Sequence, residues 1–277
     1  MTPLVYLPHI SHRKGNGMGT MGKVSVASGG SWVKLEDPLK RVPTAKVPKQ
    51  TGGGRRRKVR GFSRGSRRRL LDTLNKVRRD AVVKALFVTL TYPGSWPGAW
   101  QRWKRDIDAL GKRLKRQYPG VSFVWRLEYQ RRGAPHFHLL LFGVPFIPHD
   151  WLARAWYEVV DSGDPKHLLA GVEVRRVKRF RSVIGYASKY LAKVKDEDSG
   201  RTDGRVWGIV GRENLPIEIV CVEVAARVWY DLRRTLRKRV EKRTGKPWYH
   251  ARKRHGSMAV YFPSGDVWRL LACAVQR

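Results

Sequence analysis

Two strands and the turn between them decide the fold of this chain; their residues, 121 to 142, read VSFVWRLEYQRRGAPHFHLLLF. Successive side chains of a strand point to opposite faces, so each strand carries two sets of side chains. The apolar set consists of Phe123, Trp125, Leu127, Tyr129, Phe137, Leu139 and Leu141. The other set consists of Arg126, Glu128, Gln130, His136 and His138. The sequence therefore predicts an antiparallel hairpin with one apolar face and one face that collects ionisable groups.

The turn fixes which of these ionisable side chains meet. If the hairpin folds symmetrically about Arg132, Glu128 lies directly opposite His136, and His138 lies on the diagonal of the same face. Directly opposed Cβ atoms are about 5 Å apart and diagonal neighbours about 7–8 Å. Two imidazoles and a carboxylate at such distances can bind one divalent cation. We therefore predict a metal site of Glu128, His136 and His138; the alternative is a pair of hydrogen-bonded or surface histidines without a ligand role.

Strand and helix patterns alternate on both sides of this hairpin. Runs of apolar and β-branched residues predict strands, and apolar residues at helical spacing predict helices. Asp150 is the predicted N-cap of the helix that begins there. The predicted elements are strand 86–92, helix 100–116, strands 121–130 and 136–142, helix 150–160, strand 172–177, helices 182–194 and 225–243, and strands within 249–271.

The charge of the chain indicates an anionic polymer as its partner. Its 277 residues include 58 Lys and Arg against 22 Asp and Glu, a net charge of +36. Nucleic acid is the first candidate for such a partner. No apolar run approaches the roughly 20 residues of a membrane span, so we expect no membrane partner. Residues 17–23 have the spacing of a phosphate loop but lack the following Ser or Thr, so we expect no nucleotide cofactor.

The basic residues cluster at the end of an N-terminal segment and in a C-terminal helix. Residues 1–54 are rich in Gly and Pro and show no sustained period, which predicts a partly irregular basic arm that extends to residue 80. Dense runs of Lys and Arg favour contact with phosphates. The predicted DNA-binding residues are Arg55, Arg56, Arg57, Lys58, Arg67, Arg68, Arg69, Arg126, Arg233, Arg234 and Arg237.

A second chemical motif lies on the predicted helix 182–194. Tyr186 and Tyr190 are four residues apart and therefore neighbours on one helical face. A tyrosine hydroxyl can attack a phosphodiester when the phosphate is polarised, and Lys189 can stabilise the charge that develops. The alternative is that both tyrosines are half-buried packing residues and Lys189 is a surface residue.

Taken together, the motifs of residues 87–92, 135–139 and 186–190 resemble those of the HUH endonucleases. The likeness is to rolling-circle replication initiators (Rep proteins) of bacterial plasmids and single-stranded DNA phages, and the paired tyrosines resemble the two-tyrosine branch that includes the microvirus gene A proteins. The resemblance covers about residues 84–195. It implies an α+β fold, with a central antiparallel sheet and packed helices in an RRM-like arrangement, which agrees with the predicted order of elements.

The resemblance also implies roles for individual residues. His136 and His138 correspond to the paired histidine ligands, and Glu128 to the acid on the neighbouring strand that often completes the site for Mg²⁺ or Mn²⁺. Tyr186 corresponds to the nucleophile, Lys189 to the motif lysine and Tyr190 to the second tyrosine. The implied domains are a basic arm at 1–80, an endonuclease domain at 84–212 and an extension of it at 213–277.

The implied function is nicking of one DNA strand at an origin and strand transfer through a 5′-phosphotyrosine, which starts and ends rolling-circle replication. The expected partners are single-stranded or hairpin origin DNA with a host helicase and polymerase, and the expected place is the cytoplasm of a bacterial host. An HUH transposase or relaxase is a related alternative. A non-catalytic single-strand nucleic-acid-binding protein is the alternative from another class, and a covalent protein–DNA adduct distinguishes the two.

Overall fold

The computed structural model describes residues 21–27, 32–36, 62–177, 204–245, 258–261 and 267–275. The strands are β1 (Met21–Ala27), β2 (Trp32–Glu36), β3 (Leu86–Thr91), β4 (Ser122–Tyr129), β5 (Pro135–Phe142), β6 (Val172–Arg176), β7 (Trp207–Val210), β8 (Ile219–Ala225) and β9 (Met258–Tyr261). The helices are α1 (Arg64–Leu74), α2 (Arg79–Val83), α3 (Trp100–Gln117), α4 (His149–Val160), α5 (Pro165–Ala170), α6 (Ala226–Thr244) and α7 (Val267–Val275). The predicted helix 182–194 lies outside the described residues.

The predicted α+β class, with packed helices and an antiparallel central sheet, is confirmed. Five strands form this sheet in the order β6-β3-β5-β4-β7, and every neighbouring pair is antiparallel. The hairpin of β4 and β5 lies inside the sheet, which explains why every residue of β4 is buried. Strand β7, which pairs with β4, is the one member of this sheet that the sequence did not predict.

Helices α3 and α4 cover the apolar face of the five-stranded sheet. The α3 residues Ile107, Leu110 and Leu114 recur at helical spacing and are fully buried. On α4, Trp156 packs edge-on against Phe137 of β5, with ring centroids 6.1 Å apart. Burial of each large apolar side chain contributes about 1.5–3 kcal/mol, so this face supplies much of the stability of the sheet.

The start of α4 differs from the prediction by one residue. Pro148, not Asp150, is the N-cap, and the helix begins at His149. Asp150 lies in the first turn without capping it. A carboxylate there still favours the helix, because the N-terminal end of a helix carries partial positive charge. The sequence signal was therefore correct about the helix and misplaced by two residues for the cap.

Four further strands form a second antiparallel sheet in the order β8-β1-β2-β9. Strands β1 and β2 belong to the segment predicted as an irregular arm, so residues 21–27 and 32–36 differ from that prediction. Their short apolar alternation, with Val24 and Val26 fully buried, is recognisable only with the C-terminal partner strands. The C-terminal strands thus pair with N-terminal strands, and within 249–271 the structure has both strand β9 and the start of helix α7.

Within the described residues, no helix combines the length and the apolar character that a membrane span requires.

Candidate metal and DNA-binding face

The predicted register of the hairpin is observed. Glu128 pairs directly with His136, and the next pair on the same face is Arg126 with His138. Strand β3 adds two hydroxyls to this face, because Thr91 pairs with His136 and Thr89 with His138. Three neighbouring strands therefore place a carboxylate, two imidazoles and two threonines on the face opposite α3 and α4. We call this the polar face.

The imidazole of His138 lies beside the Glu128 carboxylate. The distance between His138 Nε2 and Glu128 Oε2 is 3.8 Å, and both side chains are almost fully buried. The rings of His136 and His138 meet nearly at right angles, with centroids 4.5 Å apart. His136 is the more exposed of the two histidines. The three predicted ligands therefore occupy one small region of the polar face.

Neighbouring side chains hold the two imidazole rings. Thr89 Oγ1 lies 3.4 Å from His138 Nδ1, and the ring of Phe87 stacks on His138 at a centroid distance of 5.5 Å. Gln130 Nε2 lies 3.5 Å from His136 Nδ1. In His138 the Nδ1 contact leaves Nε2 directed at the carboxylate. Residues that orient a ligand in this way commonly set its tautomer and ring position.

The donor set fits a divalent cation in its chemistry, since two imidazoles and a carboxylate suit Mn²⁺ and other divalent ions. The side-chain positions fit less completely. Among the described residues, no three His, Cys, Asp or Glu side chains converge closely enough to form a metal centre. The closest arrangement is the Glu128–His138 pair with His136 beside it. The metal assignment therefore remains a prediction.

Arg126 corrects one of the predicted DNA contacts. Its side chain is fully buried, and its guanidinium donates hydrogen bonds to the carbonyl oxygens of Leu127 and Val206. The same group lies 4.1 Å from the ring centre of Phe62. Strand alternation correctly assigned Arg126 to the polar face but did not show that Phe62 covers that end of it. A buried guanidinium does not reach DNA.

Helix α1 lies over the Arg126 end of the polar face. Trp207, the β7 residue that pairs with Arg126, donates its indole hydrogen bond to Ser66 Oγ of α1 at 2.8 Å. The outer surface of α1 carries Arg67, Arg68 and Arg69, and all three are exposed. These predicted DNA-binding residues therefore lie on the same side of the sheet as Glu128 and the histidines. The cluster of Arg55, Arg56, Arg57 and Lys58 lies outside the described residues.

The arginines of α6 are partly engaged by neighbours on their own helix. Arg234 and Arg237 are exposed and form ion pairs with Asp231 and Glu241, at 3.4 Å and 3.2 Å. Arg233 is half-buried over the ring of Trp229. Exposed pairs of this kind contribute little stability and exchange readily for phosphate contacts. Their role in DNA binding remains a prediction.

Arg132 is a residue of this region that the sequence analysis used only as the centre of the turn. Its guanidinium donates hydrogen bonds to the carbonyl oxygens of Tyr92 and Pro93 and to Gln130 Oε1. It thereby ties the hairpin turn to the loop after β3, and Gln130 in turn contacts His136. A turn arginine has no recognisable pattern in sequence, so only the structure reveals this connection.

Tyr186, Lys189 and Tyr190 lie outside the described residues, so their position relative to the polar face stays a prediction.

Comparison with known proteins gives a consistent picture. Residues 85–195 match a family described as replication-associated protein, of the ORF2 type. That span includes Glu128, both histidines and both tyrosines of the predicted site. No solved structure matches the chain.

Three relatives illustrate the similarity. Two provisionally named replication proteins of Xylella fastidiosa, from strains Temecula1 and 9a5c, are 29% and 32% identical to it over 55% of this chain. The chain spans about three fifths of the length of these relatives, 61% and 57%. The replication-associated protein of Pseudomonas phage Pf3 is 27% identical over 71% of this chain and 72% of its own length. Residues 85–195 are thus a region similar to the ORF2-type family of replication-associated proteins.

Proposed function

We propose that this protein starts and ends rolling-circle DNA replication by nicking one strand of an origin and transferring that strand through a 5′-phosphotyrosine. The observation that carries the proposal is the cluster of Glu128, His136 and His138 on one sheet face, with His138 Nε2 3.8 Å from the Glu128 carboxylate. This cluster lies in the region that is similar to replication-associated proteins.

The reaction exchanges one phosphate ester for another. Tyr186 Oη forms a bond to the scissile phosphorus and loses its proton, while the bond from phosphorus to the 3′-oxygen breaks and that oxygen gains a proton. Lys189 stabilises the negative charge that develops. A cation bound at Glu128, His136 and His138, Mg²⁺ or Mn²⁺, supplies Lewis-acid polarisation of the phosphate.

A second tyrosine suits a reaction that must be ended as well as begun. The free 3′-OH primes a host polymerase, and a host helicase opens the duplex ahead of it in the bacterial cytoplasm. Tyr190 cuts the regenerated origin, and the 3′-OH released by that cut attacks the first phosphotyrosine. The circle is then sealed and Tyr186 regains its proton.

The charge distribution supports DNA as the substrate. The net charge is +36, and three exposed arginines of α1 lie on the same side of the sheet as the candidate site. Lys and Arg near phosphates release condensed counterions, which favours binding at low salt. We therefore place single-stranded or hairpin origin DNA across the polar face, beside α1.

A covalent adduct tests the proposal directly. We expect labelled single-stranded origin DNA with Mn²⁺ to yield a protein–DNA band that survives denaturing gels. Tyr186→Phe should lose most of that adduct in a single turnover, Tyr190→Phe should keep it but fail to release circles, and the double variant should form none. Tyr230→Phe, an exposed tyrosine of α6, is the matched control and should behave like the unmodified chain.

The metal ligands have their own test. We expect EDTA, His136→Ala and His138→Ala each to abolish the adduct and to leave DNA affinity largely unchanged. Undiminished adduct in excess chelator contradicts the metal assignment. An active Glu128→Ala variant places the third ligand elsewhere.

A non-catalytic nucleic-acid-binding protein is the second candidate. It is favoured by one observation: among the described residues, no three donor side chains converge into a metal centre. This candidate predicts salt-sensitive DNA binding with no covalent adduct under any metal. A transposase or relaxase of the same chemistry would instead give the adduct, and its substrate would be a transposon end or a transfer origin.

A further inference from the structure

A basic groove lies between α3 and α4, on the outer surface of the helices that cover the apolar face. Its volume is about 420 Å³, within the range of ligand-binding clefts. The five-stranded sheet separates it from Glu128, His136 and His138. The residues that line the groove are Arg113, Arg116, Gln117, Trp151, Arg154, Ala155 and Glu158.

The groove has a net positive charge. Three arginines face one acid, and that acid, Glu158, accepts a hydrogen bond and ion pair from Arg113 at 2.5 Å across the two helices. Arg116 and Arg154 are exposed, and neither forms an ion pair with any residue in the described ranges. The pair therefore fixes the groove walls, and two guanidinium groups remain to bind an external anion.

Helix electrostatics explains only part of this arrangement. Arg116 lies in the last turn of α3, where a cation is favoured by the helix dipole. Arg154 lies in the middle of α4, far from either end, so the dipole gives no reason for it. Both nonetheless line the same groove.

An aromatic ring completes the groove. Trp151 is half-buried and packs edge-on against Tyr118, with ring centroids 5.9 Å apart and an interplanar angle of 83°. This contact holds the indole in place at the groove wall. Arginine forks bind phosphate oxygens in two-point fashion, and an adjacent indole offers a stacking surface for a base.

We infer that the α3–α4 groove binds the backbone of a DNA segment other than the one at the polar face. The arginine forks and the fixed indole match a nucleotide unit, and the sheet prevents one phosphate from contacting both sites. A protein with both sites holds two parts of an origin at once, such as a hairpin stem and its single-stranded flank. This inference rests on DNA as the ligand and does not require cleavage.

The test is a pair of double variants that remove equal charge. Arg116→Gln with Arg154→Gln changes the groove, whereas Arg105→Gln with Lys112→Gln changes two exposed residues of α3 that do not line it. Binding of a labelled hairpin with a single-stranded flank is followed by fluorescence anisotropy over a range of salt. We expect the groove variant to flatten the log–log salt slope by about 1.8, two phosphate contacts at about 0.9 each, and the control by less than about 0.5.

A variant with the opposite effect sharpens this test. Glu158→Gln removes the one acid of the groove and frees Arg113, so binding should tighten and the slope should steepen by up to about 0.9. Equal slopes for the groove variant and the control, or weaker binding by Glu158→Gln, would overturn the inference. The readout needs no cleavage, so a missing covalent adduct in the unmodified chain would count against the proposed function and leave this result valid.

Discussion

The two faces of the five-stranded sheet are built from the same strands and have opposite contents. On one face Phe137 packs against Trp125 and Trp156 beneath two helices. On the other, its neighbours in sequence, His136 and His138, lie beside Glu128. A period of two thus assigns stability to one set of residues and the candidate chemistry to the other. Adjacent residues should therefore give opposite mutational results.

Neither face is uniform. The helix-covered face contains Lys104, whose ammonium lies 4.5 Å from the ring centre of Trp125, and a hydrogen-bonded pair of Tyr92 and Asp106. The polar face is closed at one end, where Phe62 covers Arg126. These exceptions offer the best ways to test the division.

The largest effects should come from the neighbours Phe137 and His136. Phe137→Ala leaves a cavity in the core and should lower the free energy of unfolding by about 3–5 kcal/mol. His136→Ala removes a partly exposed ring and should cost less than about 1 kcal/mol, while adduct formation falls at least about 100-fold because phosphate polarisation is lost. Denaturant unfolding and single-turnover gels measure the two quantities. A comparable loss of stability in both variants would show that the faces do not divide these roles.

The next effect concerns the cation on the apolar side. Burial lowers the pKa of Lys104 to about 8, with Arg126 and Arg205 adding to the shift and Asp108 opposing it. Its Nζ has no hydrogen-bond partner among the residues that the structure describes. Between pH 8 and about 10.5 the unfolded chain binds more protons than the folded one, so stability should rise with pH across this window.

Lys104→Met should therefore stabilise the fold at pH 7 by about 1–3 kcal/mol, less whatever the contact with Trp125 contributes. The gain should shrink as pH rises through the window, and urea unfolding at pH 7 and pH 10 measures it. Lys112→Met, an exposed position on the same helix, should show neither the gain nor its pH dependence. A destabilised Lys104→Met variant at pH 7 would mean that this ammonium is well satisfied where it lies.

A smaller effect should separate basic residues on the two sides of the sheet. Arg68→Gln with Arg69→Gln removes two exposed charges of α1, beside the polar face. We expect a salt slope flatter by about 1.8 for short single-stranded DNA, roughly a tenfold loss of affinity at 0.2 M salt relative to 0.05 M. Deletion of residues 1–69 is a poorer test, because it also removes β1 and β2. The same loss in Arg105→Gln with Lys112→Gln would show that total charge, and not its position, controls binding.

The smallest effect should come from the polar pair beneath the helices. Tyr92 donates a hydrogen bond to Asp106 Oδ2 at 2.7 Å, and Arg102 Nε donates to Oδ1 at 2.8 Å. Tyr92→Phe keeps the packing against Trp156 and removes one of these bonds, so it should cost about 0.5–1.5 kcal/mol. Thermal unfolding of Tyr92→Phe and of the control Tyr157→Phe checks this. No change for Tyr92→Phe would mean that Arg102 alone satisfies the buried carboxylate.

The sequence predicted what depends on short range. The pairing of Glu128 with His136 followed from a short turn, and α3 followed from the spacing of Ile107, Leu110 and Leu114. The burial of Arg126 could not be predicted, because its cover, Phe62, precedes it by more than sixty residues. The second sheet escaped prediction for the same reason, since β1 and β2 contain too few apolar residues to be recognised without β8 and β9.

The second sheet sets a condition on the order in which the chain folds during synthesis. Strands β1 and β2 are its central pair, yet Ser25 of β1 contacts Cys221 of β8 across 196 residues of sequence. Until the ribosome has released β8 and β9, the Val-rich hairpin has two open edges, which readily pair with other chains. Contacts of such long range form slowly. We expect chains truncated before β8 to aggregate through their N-termini, whereas the local β4–β5 hairpin can pair as soon as it emerges.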